Sequence, residues 1–328
     1  MPIKTASLFI FRRADIIYQN MIIRFLIFAL LALSAKAQIR IEKSAELQKV
    51  VKEAVEQALE KFSEKGLRPE NLAVTVIDLR NESEPRSGDF RGDQKIYPAS
   101  VVKLFYLVAT HQWLKDGRIK DTPEIRRAMR DMIVDSSNDA THFIVDVLTD
   151  ATGGSELSEK ELKKWAYKRE SVNRYFHSLG YIDINVVQKT YCEDIYGRER
   201  QFWNEGKNRN MLTTNSTARL LTEIALGKAV DSERSKQMLE LMKRNPYKED
   251  NDLDSQDIGF TGLTLKKFPN AKLWSKAGWT SVSRHDAAYI ETADGLRFVF
   301  VIFTENFAKE RQIIPLIAEK IIEGLRSL

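Results

Sequence analysis

The stretch that decides the fold is residues 97–109, which read YPASVVKLFYLVA. Pro98 precedes a run of apolar, helix-forming residues, so the pattern predicts a helix that begins near Ser100. Ser100 and Lys103 are three residues apart and therefore lie on one face of that helix. A serine hydroxyl is a poor nucleophile until a base takes its proton, and a lysine partly screened from water can serve as that base. Taken alone, the pair is a weak signal, because a serine at a helix start is more often an N-cap.

A second motif, Ser136-Ser137-Asn138, lies further along the chain between two helical patterns, residues 124–134 and 140–148. A serine at such a corner can relay a proton to a leaving nitrogen, and an amide side chain can hold a substrate carbonyl. Capping of the second helix by Ser136 or Ser137 is the simpler alternative.

A third motif, Lys276-Ala277-Gly278, ends a predicted strand near the carboxyl terminus. Gly278 permits close approach of another backbone segment, and Arg284 begins the next predicted strand. A lysine and an arginine at one sheet edge suit a substrate carboxylate. A basic hairpin with solvated cations is the alternative interpretation.

The order of the three motifs is more specific than any one of them. Ser-x-x-Lys at a helix start, Ser-x-Asn at a helix corner and Lys-x-Gly on a late strand form a known signature. The sequence thereby resembles the class A β-lactamase-like serine hydrolases of the β-lactamase and penicillin-binding protein superfamily over most of residues 44–328. Residues 275–291, SKAGWTSVSRHDAAYIE, look like the family's Lys-Thr-Gly strand and hairpin. Residues 210–221, NMLTTNSTARLL, look like its Thr-Thr-rich helix entry.

The predicted fold class is α+β, with an antiparallel sheet flanked by helices from both ends of the chain. An all-helical subdomain over about residues 100–227 is inserted into the sheet, and it is trimmed, because fewer residues than usual for the family separate Ser100 from Ser136. Hydrophobic periodicity predicts the outer elements. These are amphipathic helices over residues 44–65 and 308–328 and strands over residues 71–80, 272–276, 285–292 and 296–304, with a loop or short hairpin over residues 81–93.

The resemblance implies covalent catalysis through an acyl-enzyme. Ser100 would attack the carbonyl of a strained lactam or a peptide, and Lys103 would be the activating base. The backbone N–H groups of Ser100 and of Trp279, which follows Gly278, would form the oxyanion hole.

The resemblance also assigns roles to the polar side chains around this nucleophile. Ser136 would shuttle a proton to the departing nitrogen, and Asn138 would bind the substrate amide. Lys276 would set the local electrostatic field, and Arg284 would pair with the substrate carboxylate.

Two departures from the family pattern affect the same cleft. Ser137 stands where the family has an aspartate that organises the corner. Ala277 replaces the usual threonine or serine, which deletes a hydroxyl that would bind the substrate carboxylate, and Thr280 or Ser281 could compensate.

A third departure concerns the glutamate that activates the deacylating water in the family. The loop after Gly180 is longer than usual and has no clean match. Counting back from the Thr-Thr pair favours Glu199 as this base, and Glu193 and Glu205 are alternatives. A further alternative is that the chain has no equivalent of this glutamate. A positioned base predicts a β-lactamase that hydrolyses its acyl-enzyme quickly. Its absence predicts a penicillin-binding D,D-peptidase, an esterase using the same serine, or a catalytically lapsed protein that binds the cell wall.

Composition excludes several other classes of protein. The chain has 328 residues and a formal charge of +5, but residues 1–37 hold five basic and one acidic side chain. The remainder has 46 basic and 45 acidic residues, so the charge pattern of a nucleic-acid binder is absent. A single cysteine, Cys192, excludes an internal disulfide framework, and the four histidines lack metal-ligand spacing. We therefore expect no metal or cofactor, a small-molecule β-lactam or peptidoglycan-derived substrate, and a monomer.

The amino-terminal residues have the pattern of a secretory signal peptide. From Met21 the sequence reads MIIRFLIFALLALSAKAQIR, with Arg24, an apolar run over residues 25–33 and small residues before Gln38. We expect translation to begin at Met21 and residues 1–37 to be removed, which leaves residues 38–328 as an exported, periplasmic hydrolase domain. The apolar run is short for a membrane span, and an uncleaved membrane anchor is the alternative.

Overall fold

A mixed sheet of seven strands lies at the centre of the computed structural model, which describes residues 39–191 and 194–328. Its order is β1-β3-β2-β7-β6-β5-β4. Neighbouring strands are antiparallel, as the sequence predicts, except for β1 and β3, which pair in parallel over two residues at this edge. The strands are β1 Glu42–Lys43, β2 Leu72–Asp78, β3 Arg86–Phe90, β4 Lys243–Arg244, β5 Lys272–Trp279, β6 Ser283–Glu291 and β7 Arg297–Glu305.

Helices from the two ends of the described chain cover one face of the sheet. These are α1, Ala45–Lys61, and α11, Ile313–Arg326, and both bury an apolar stripe in one core with alternate residues of β2, β6 and β7. Ser44 caps α1 by accepting a hydrogen bond from the Leu47 backbone N–H at 3.2 Å. A Cβ at Gly88 of β3 would lie 2.6 Å from the Leu47 carbonyl carbon, so this glycine lets α1 approach the sheet edge closely.

Helices between β3 and β5 cover the opposite face of the sheet. The most central is α2, Lys103–Lys115, whose residues are buried almost all round the helix, as expected for a helix inside a core. The others are α3 Pro123–Ile133, α4 Asn138–Thr149, α5 Glu159–Arg169, α6 Ser171–Ser178, α7 Gly197–Trp203, α8 Thr214–Ala225 and α9 Ser232–Met242. The exception is α10, Phe260–Leu265, which packs against α11 in the core of the first face. The sheet and these helices meet along β5 and the start of α2.

The amino-terminal predictions lie outside the described residues. The signal peptide over residues 1–37 and the start at Met21 therefore stay predictions. Residues 40–328 form one compact unit. Among the described residues, no helix combines the length and the apolar character that crossing a bilayer requires.

His111 of α2 makes the stability of the fold depend on pH. Its side chain is buried, and neither ring nitrogen has a hydrogen-bond partner in the described part of the chain. Burial lowers the pKa of His111 from 6.5 to about 4. Between these values the unfolded chain binds a proton that the folded chain does not, so stability falls as the pH drops from about 6.5 to about 4.

We predict that replacing the His111 side chain weakens the dependence of the unfolding free energy on pH below pH 7. At about 1.4 kcal/mol per pKa unit, neutral burial of His111 costs on the order of 3 kcal/mol of unfolding free energy at pH 4. Between pH 7 and pH 4.5, the free energy of unfolding in urea should therefore fall less for His111→Leu than for the wild type. An unchanged difference between the two pH values would show that His111 is not the group responsible.

Candidate active site

Ser100 lies in a short 3₁₀ helix, Ala99–Val102, that leads directly into α2. The preceding residue, Ala99, has a φ of +46°, a left-handed conformation that residues with a Cβ rarely adopt. Such strain persists only where the surroundings hold it, and it is common at functional sites. Ser100 as a whole residue is partly buried.

Two residues that pair across β5 and β6 hold this segment in place. A Cβ at Gly278 would lie 2.7 Å from the Pro98 carbonyl oxygen and 2.8 Å from the Ser100 nitrogen, so only glycine permits this approach of β5. Its cross-strand partner is His285, whose Nε2 donates to the Tyr97 carbonyl at 3.0 Å. His285 Nδ1 accepts the Thr304 N–H at 3.0 Å, and burial lowers its pKa to about 4, so the ring is neutral. His285 therefore positions the segment and does not contact solvent.

The Ser136 corner faces Lys103 across the cleft. Ser136 has a φ of +56°, which turns the chain sharply between α3 and α4. Lys103 is fully buried, and its Nζ donates to the Ser136 carbonyl at 2.6 Å and to Asn138 Oδ1 at 2.8 Å. The Ser136 hydroxyl oxygen is 3.3 Å from the same Nζ. Ser137 instead caps α4 by accepting the Ala140 N–H at 3.1 Å, so its side chain has the structural role of a helix cap.

Lys276 of β5 reaches the same hydroxyl from the other side. Its Nζ donates to Ser136 Oγ at 3.0 Å, to Gln256 Oε1 at 2.7 Å and to the Ala277 carbonyl at 2.7 Å. All three ammonium protons are therefore bound by uncharged acceptors. Burial, followed by the nearby charges of Lys103 and Arg244, holds the pKa of Lys276 well below its usual value. Lys276 therefore loses a proton more readily than an exposed lysine does.

Gln256 is a residue of this site that the sequence motifs did not indicate. Its Oε1 accepts from Lys276 Nζ and from the Ala277 N–H at 3.1 Å. Its Nε2 donates to the carbonyls of Ile133 and Val134 at 3.2 and 2.9 Å. One side chain thus joins β5 to the end of α3 and fixes the distance between Lys276 and the Ser136 corner.

We predict that Gln256→Ala lowers kcat about tenfold with little change in KM. The reason is that Lys276 loses one acceptor and the two walls of the cleft lose their link, and a hydrogen bond to a charged group contributes roughly 1.5–3 kcal/mol. Steady-state kinetics on any substrate that acylates Ser100 measure the effect. Gln237→Ala, at an exposed position of α9, is the matched control. A Gln256→Ala enzyme within twofold of wild type would exclude the positioning role.

The carboxyl end of β5 is where the sequence predicts a binding site for a substrate carboxylate. Ala277 is buried, and Thr280 Oγ1 accepts the N–H groups of Val282 and Ser283 at 3.2 and 3.0 Å, which shapes the turn into β6. Ser281 is exposed in that turn. Trp279 is 39% exposed, and its ring centroid lies 5.6 Å from that of Phe260. The end of the strand therefore presents an indole to the solvent.

Glu199, which the sequence favours as the deacylating base, is held in a buried ion pair. Arg169 Nη1 and Nη2 donate to its two carboxylate oxygens at 2.9 and 2.6 Å, and Lys189 Nζ lies 3.5 Å from Oε1. Both carboxylate oxygens are therefore occupied by a guanidinium, which favours a structural role for Glu199 over the predicted role as base. Glu205 is exposed at the surface, and Glu193 lies outside the described residues.

Arg284 is also bound inside the protein rather than available to a substrate. Its Nη1 donates to Asp254 Oδ1 at 2.6 Å and its Nη2 to the Leu253 carbonyl at 2.5 Å. Its guanidinium carbon lies 3.7 Å from the Phe260 ring centroid. The pairing of Arg284 with a substrate carboxylate stays a prediction, and it requires that Arg284 exchange Asp254 for the substrate.

The geometry brings Lys103, Ser136, Asn138 and Lys276 into one hydrogen-bonded group and places Ser100 against Gly278. Buried lysines surround partly exposed hydroxyl and amide groups, an arrangement that can move protons beside a nucleophile. Within residues 39–191 and 194–328, no group of histidine, cysteine, aspartate or glutamate side chains is arranged to hold a metal ion.

Comparison with known proteins finds a matching family model and similar folds. A model of the β-lactamase enzyme family matches residues 52–325. No curated protein matches the chain significantly. Among solved structures, a β-lactamase from Sphaerobacter thermophilus is 18% identical, with a TM-score of 0.61 over 84% of this chain and 98% of that one. A class A β-lactamase from Bacteroides cellulosilyticus is 15% identical, with a TM-score of 0.58 over 85% and 99%.

A third similar structure is a variant of PBP-A in an acyl-enzyme complex with penicillin G. It is 17% identical, with a TM-score of 0.58 over 84% of this chain and 97% of that one. At these identities the structural likeness shows the fold, whereas the family model spans most of the sequence. The chain therefore belongs to the β-lactamase enzyme family.

Proposed function

We propose that this protein is a serine hydrolase of class A β-lactamase type that opens a β-lactam amide through an acyl-Ser100 intermediate. The observation that carries the proposal is the position of Ser136 Oγ, which lies 3.0 Å from Lys276 Nζ and 3.3 Å from Lys103 Nζ. This one hydroxyl can exchange protons with both buried lysines. Ser100, on the helix face that carries Lys103, supplies the nucleophile.

The reaction follows from these positions. Lys103 takes the Ser100 proton as the Ser100 Oγ–carbonyl carbon bond forms, and the carbonyl oxygen becomes an oxyanion between the N–H groups of Ser100 and Trp279. The carbon–nitrogen bond then breaks, and the nitrogen receives its proton through Ser136. Lys276 stabilises the hydroxyl during this transfer. Water finally cleaves the ester and restores Ser100.

A second candidate function, penicillin binding with slow deacylation, is favoured by the ion pair of Glu199. With Glu199 held by Arg169, deacylation depends on another base or proceeds slowly. The same acyl-Ser100 would then persist, as in a penicillin-binding D,D-peptidase. The PBP-A variant with penicillin G attached has the same fold.

Hydrolysis of a chromogenic cephalosporin separates these functions, with Ser100→Ala as the control. We expect wild-type turnover that the control lacks. An initial burst of one equivalent followed by almost no turnover would support the slow-deacylating alternative. No cleavage and no burst with the wild type would contradict both functions.

We further infer that the protein is exported and that its mature form consists of residues 38–328. This inference rests on the signal-peptide pattern over residues 21–37, which lies outside the described residues. The amino-terminal sequence of the protein purified from the cell envelope tests it. A first residue of Gln38 supports removal of the segment, and a first residue at or before Met21 contradicts it.

A further inference from the structure

We propose that Gln256 is a specificity-determining residue that closes the binding groove on its leaving-group side, so that the site accepts acyl donors with a short leaving group. The inference rests on the proposed acylation of Ser100. It names the class of substrate that this cleft accepts: a lactam, or an ester, thiolester or amide whose leaving group is a single terminal residue. An internal peptide bond, whose leaving group continues as a chain, is rejected.

The edge of β5 that faces away from β6 is the part of the strand that can bind a ligand. The Thr280 N–H donates to the Ser283 carbonyl and so points toward β6. The Ala277 N–H points the other way and donates to Gln256 Oε1 at 3.1 Å. Backbone groups alternate along an antiparallel strand, so the N–H and C=O of Trp279 also point away from β6. Within the described residues, β4 pairs only with the first part of β5, so no strand covers this edge at Trp279.

The same edge is already occupied further from the nucleophile, at Ser275 and Ala277. Arg244 donates to the Ser275 carbonyl through Nη2 at 2.9 Å and Nε at 3.2 Å. Gln256 Oε1 accepts the Ala277 N–H, and the carbonyl of Ala277 accepts the ammonium of the preceding lysine at 2.7 Å. A ligand can therefore pair with the edge at Trp279 and cannot continue along it.

Two side chains also bridge this edge to the opposite wall of the groove, at the end of α3. Gln256 Nε2 donates to the carbonyls of Ile133 and Val134 at 3.2 and 2.9 Å, and Arg244 Nη2 donates to that of Ile133 at 2.9 Å. Gln256 is half-buried and Arg244 is buried. Capping alone commonly protects an edge strand from aggregation. A side chain that spans both walls, with a second one behind it, also ends the groove.

Gln256 lies on the side of the groove that receives the leaving group. In the proposed reaction Ser136 gives its proton to the departing atom, and Ser136 Oγ shares Lys276 Nζ with Gln256 Oε1, at 3.0 and 2.7 Å. An extended chain advances about 3.3 Å per residue. With the scissile carbonyl at the Trp279 N–H, the first leaving-group residue lies level with Gly278, and a second one meets the Gln256 amide at the level of Ala277.

Two uncharged thiolesters that differ only in leaving-group length test the inference. Both carry benzoyl-D-alanine as the acyl part, and the thiol is mercaptoacetamide in the short probe and mercaptoacetyl-glycinamide in the long probe. In each reaction the Ser100 Oγ–carbonyl carbon bond forms, the carbon–sulfur bond breaks, and the thiol leaves with the proton that Ser100 gave up. Thiol release gives kcat/KM, which is divided by the rate constant of alkaline hydrolysis of the same probe.

We expect the wild type to cleave the short probe at least tenfold more efficiently than the long one, because the second residue must displace an amide that is hydrogen-bonded to a charged lysine. Gln256→Ala should reduce this preference to within threefold. The ratio of the two probes cancels the lower kcat that we predict for this variant on every substrate. Gln237→Ala, at an exposed position of α9, should keep the wild-type ratio.

The wild-type ratio decides the inference even if Gln256→Ala folds poorly. A wild type that cleaves both probes within threefold of each other would overturn it, and so would a folded Gln256→Ala enzyme with the wild-type ratio. Labelling of Ser100 by penicillin G separates this inference from the proposed function. If penicillin G labels Ser100 and neither probe is cleaved, only the inference fails. If Ser100 is not labelled and neither probe is cleaved, the proposed function fails and the inference fails with it.

Discussion

Replacing Lys103 with methionine is expected to slow acylation of Ser100 by roughly a thousandfold, within the range typical of removing a general base. Lys103 Nζ is buried and lies within 3.3 Å of Ser136 Oγ and 2.8 Å of Asn138 Oδ1. Its removal deprives Ser100 of the amine on its own helix face and Ser136 of one of two lysine partners. Stopped-flow acylation by a chromogenic cephalosporin measures the change.

The matched control for this variant is Lys115→Met at the other end of α2. Lys115 is partly exposed and pairs with Asp231, so the same substitution there should leave acylation unchanged. Thermal unfolding of both variants separates loss of the base from loss of the fold. A Lys103→Met enzyme that is folded and acylates within tenfold of wild type would show that Lys103 is not the base.

Replacing Glu199 with alanine is expected to destabilise the protein by roughly 3–5 kcal/mol, the usual cost of removing one partner from a buried ion pair. Arg169 is fully buried, and without Glu199 its guanidinium keeps the Ala151 carbonyl and a contact with Asp146 at 3.5 Å. Urea unfolding at pH 7 measures the loss. A change below about 1 kcal/mol, the range of exposed pairs, would contradict the structural role.

The kinetic counterpart compares the same isosteric substitution, glutamate to glutamine, at positions 199 and 193 of the sequence. Glu199→Gln should not prolong the acyl-enzyme, because that side chain is bound to Arg169. Glu193, the remaining candidate from the sequence, is the position where a glutamine should slow deacylation by roughly a hundredfold or more if a general base exists. Trapping by Glu199→Gln and not by Glu193→Gln would reverse this assignment.

The local part of the site could be predicted from the sequence. The three-residue spacing of Ser100 and Lys103 and the glycine at 278 each depend on one element, and helix and strand geometry fix their directions. The central strands β6 and β7 were predicted within two residues of their observed ends. For β7 the reason is its long apolar run of aromatic and β-branched residues, which has few alternatives.

The remaining features depend on contacts between distant segments, which no spacing encodes. Glu199 was chosen by counting along a loop, but its partner Arg169 is thirty residues away on α5. Gln256 and Asp254 lie in a polar connection without hydrophobic periodicity. Their partners, Lys276 on β5 and Arg284 on β6, come near them only when the chain is folded. The parallel pairing of β1 with β3 involves two residues of each strand and carries no pattern of its own.

The most direct test of the central claim is peptide mass mapping of the protein after exposure to penicillin G. Residues 96–103, IYPASVVK, form one tryptic peptide that contains Ser100 and ends at Lys103. The account predicts that this peptide gains the mass of one penicillin in the wild type at early times and does not in Ser100→Ala. Absence of that adduct at every time, from milliseconds to hours, or its presence on a different peptide, would contradict the claim that Ser100 is the nucleophile.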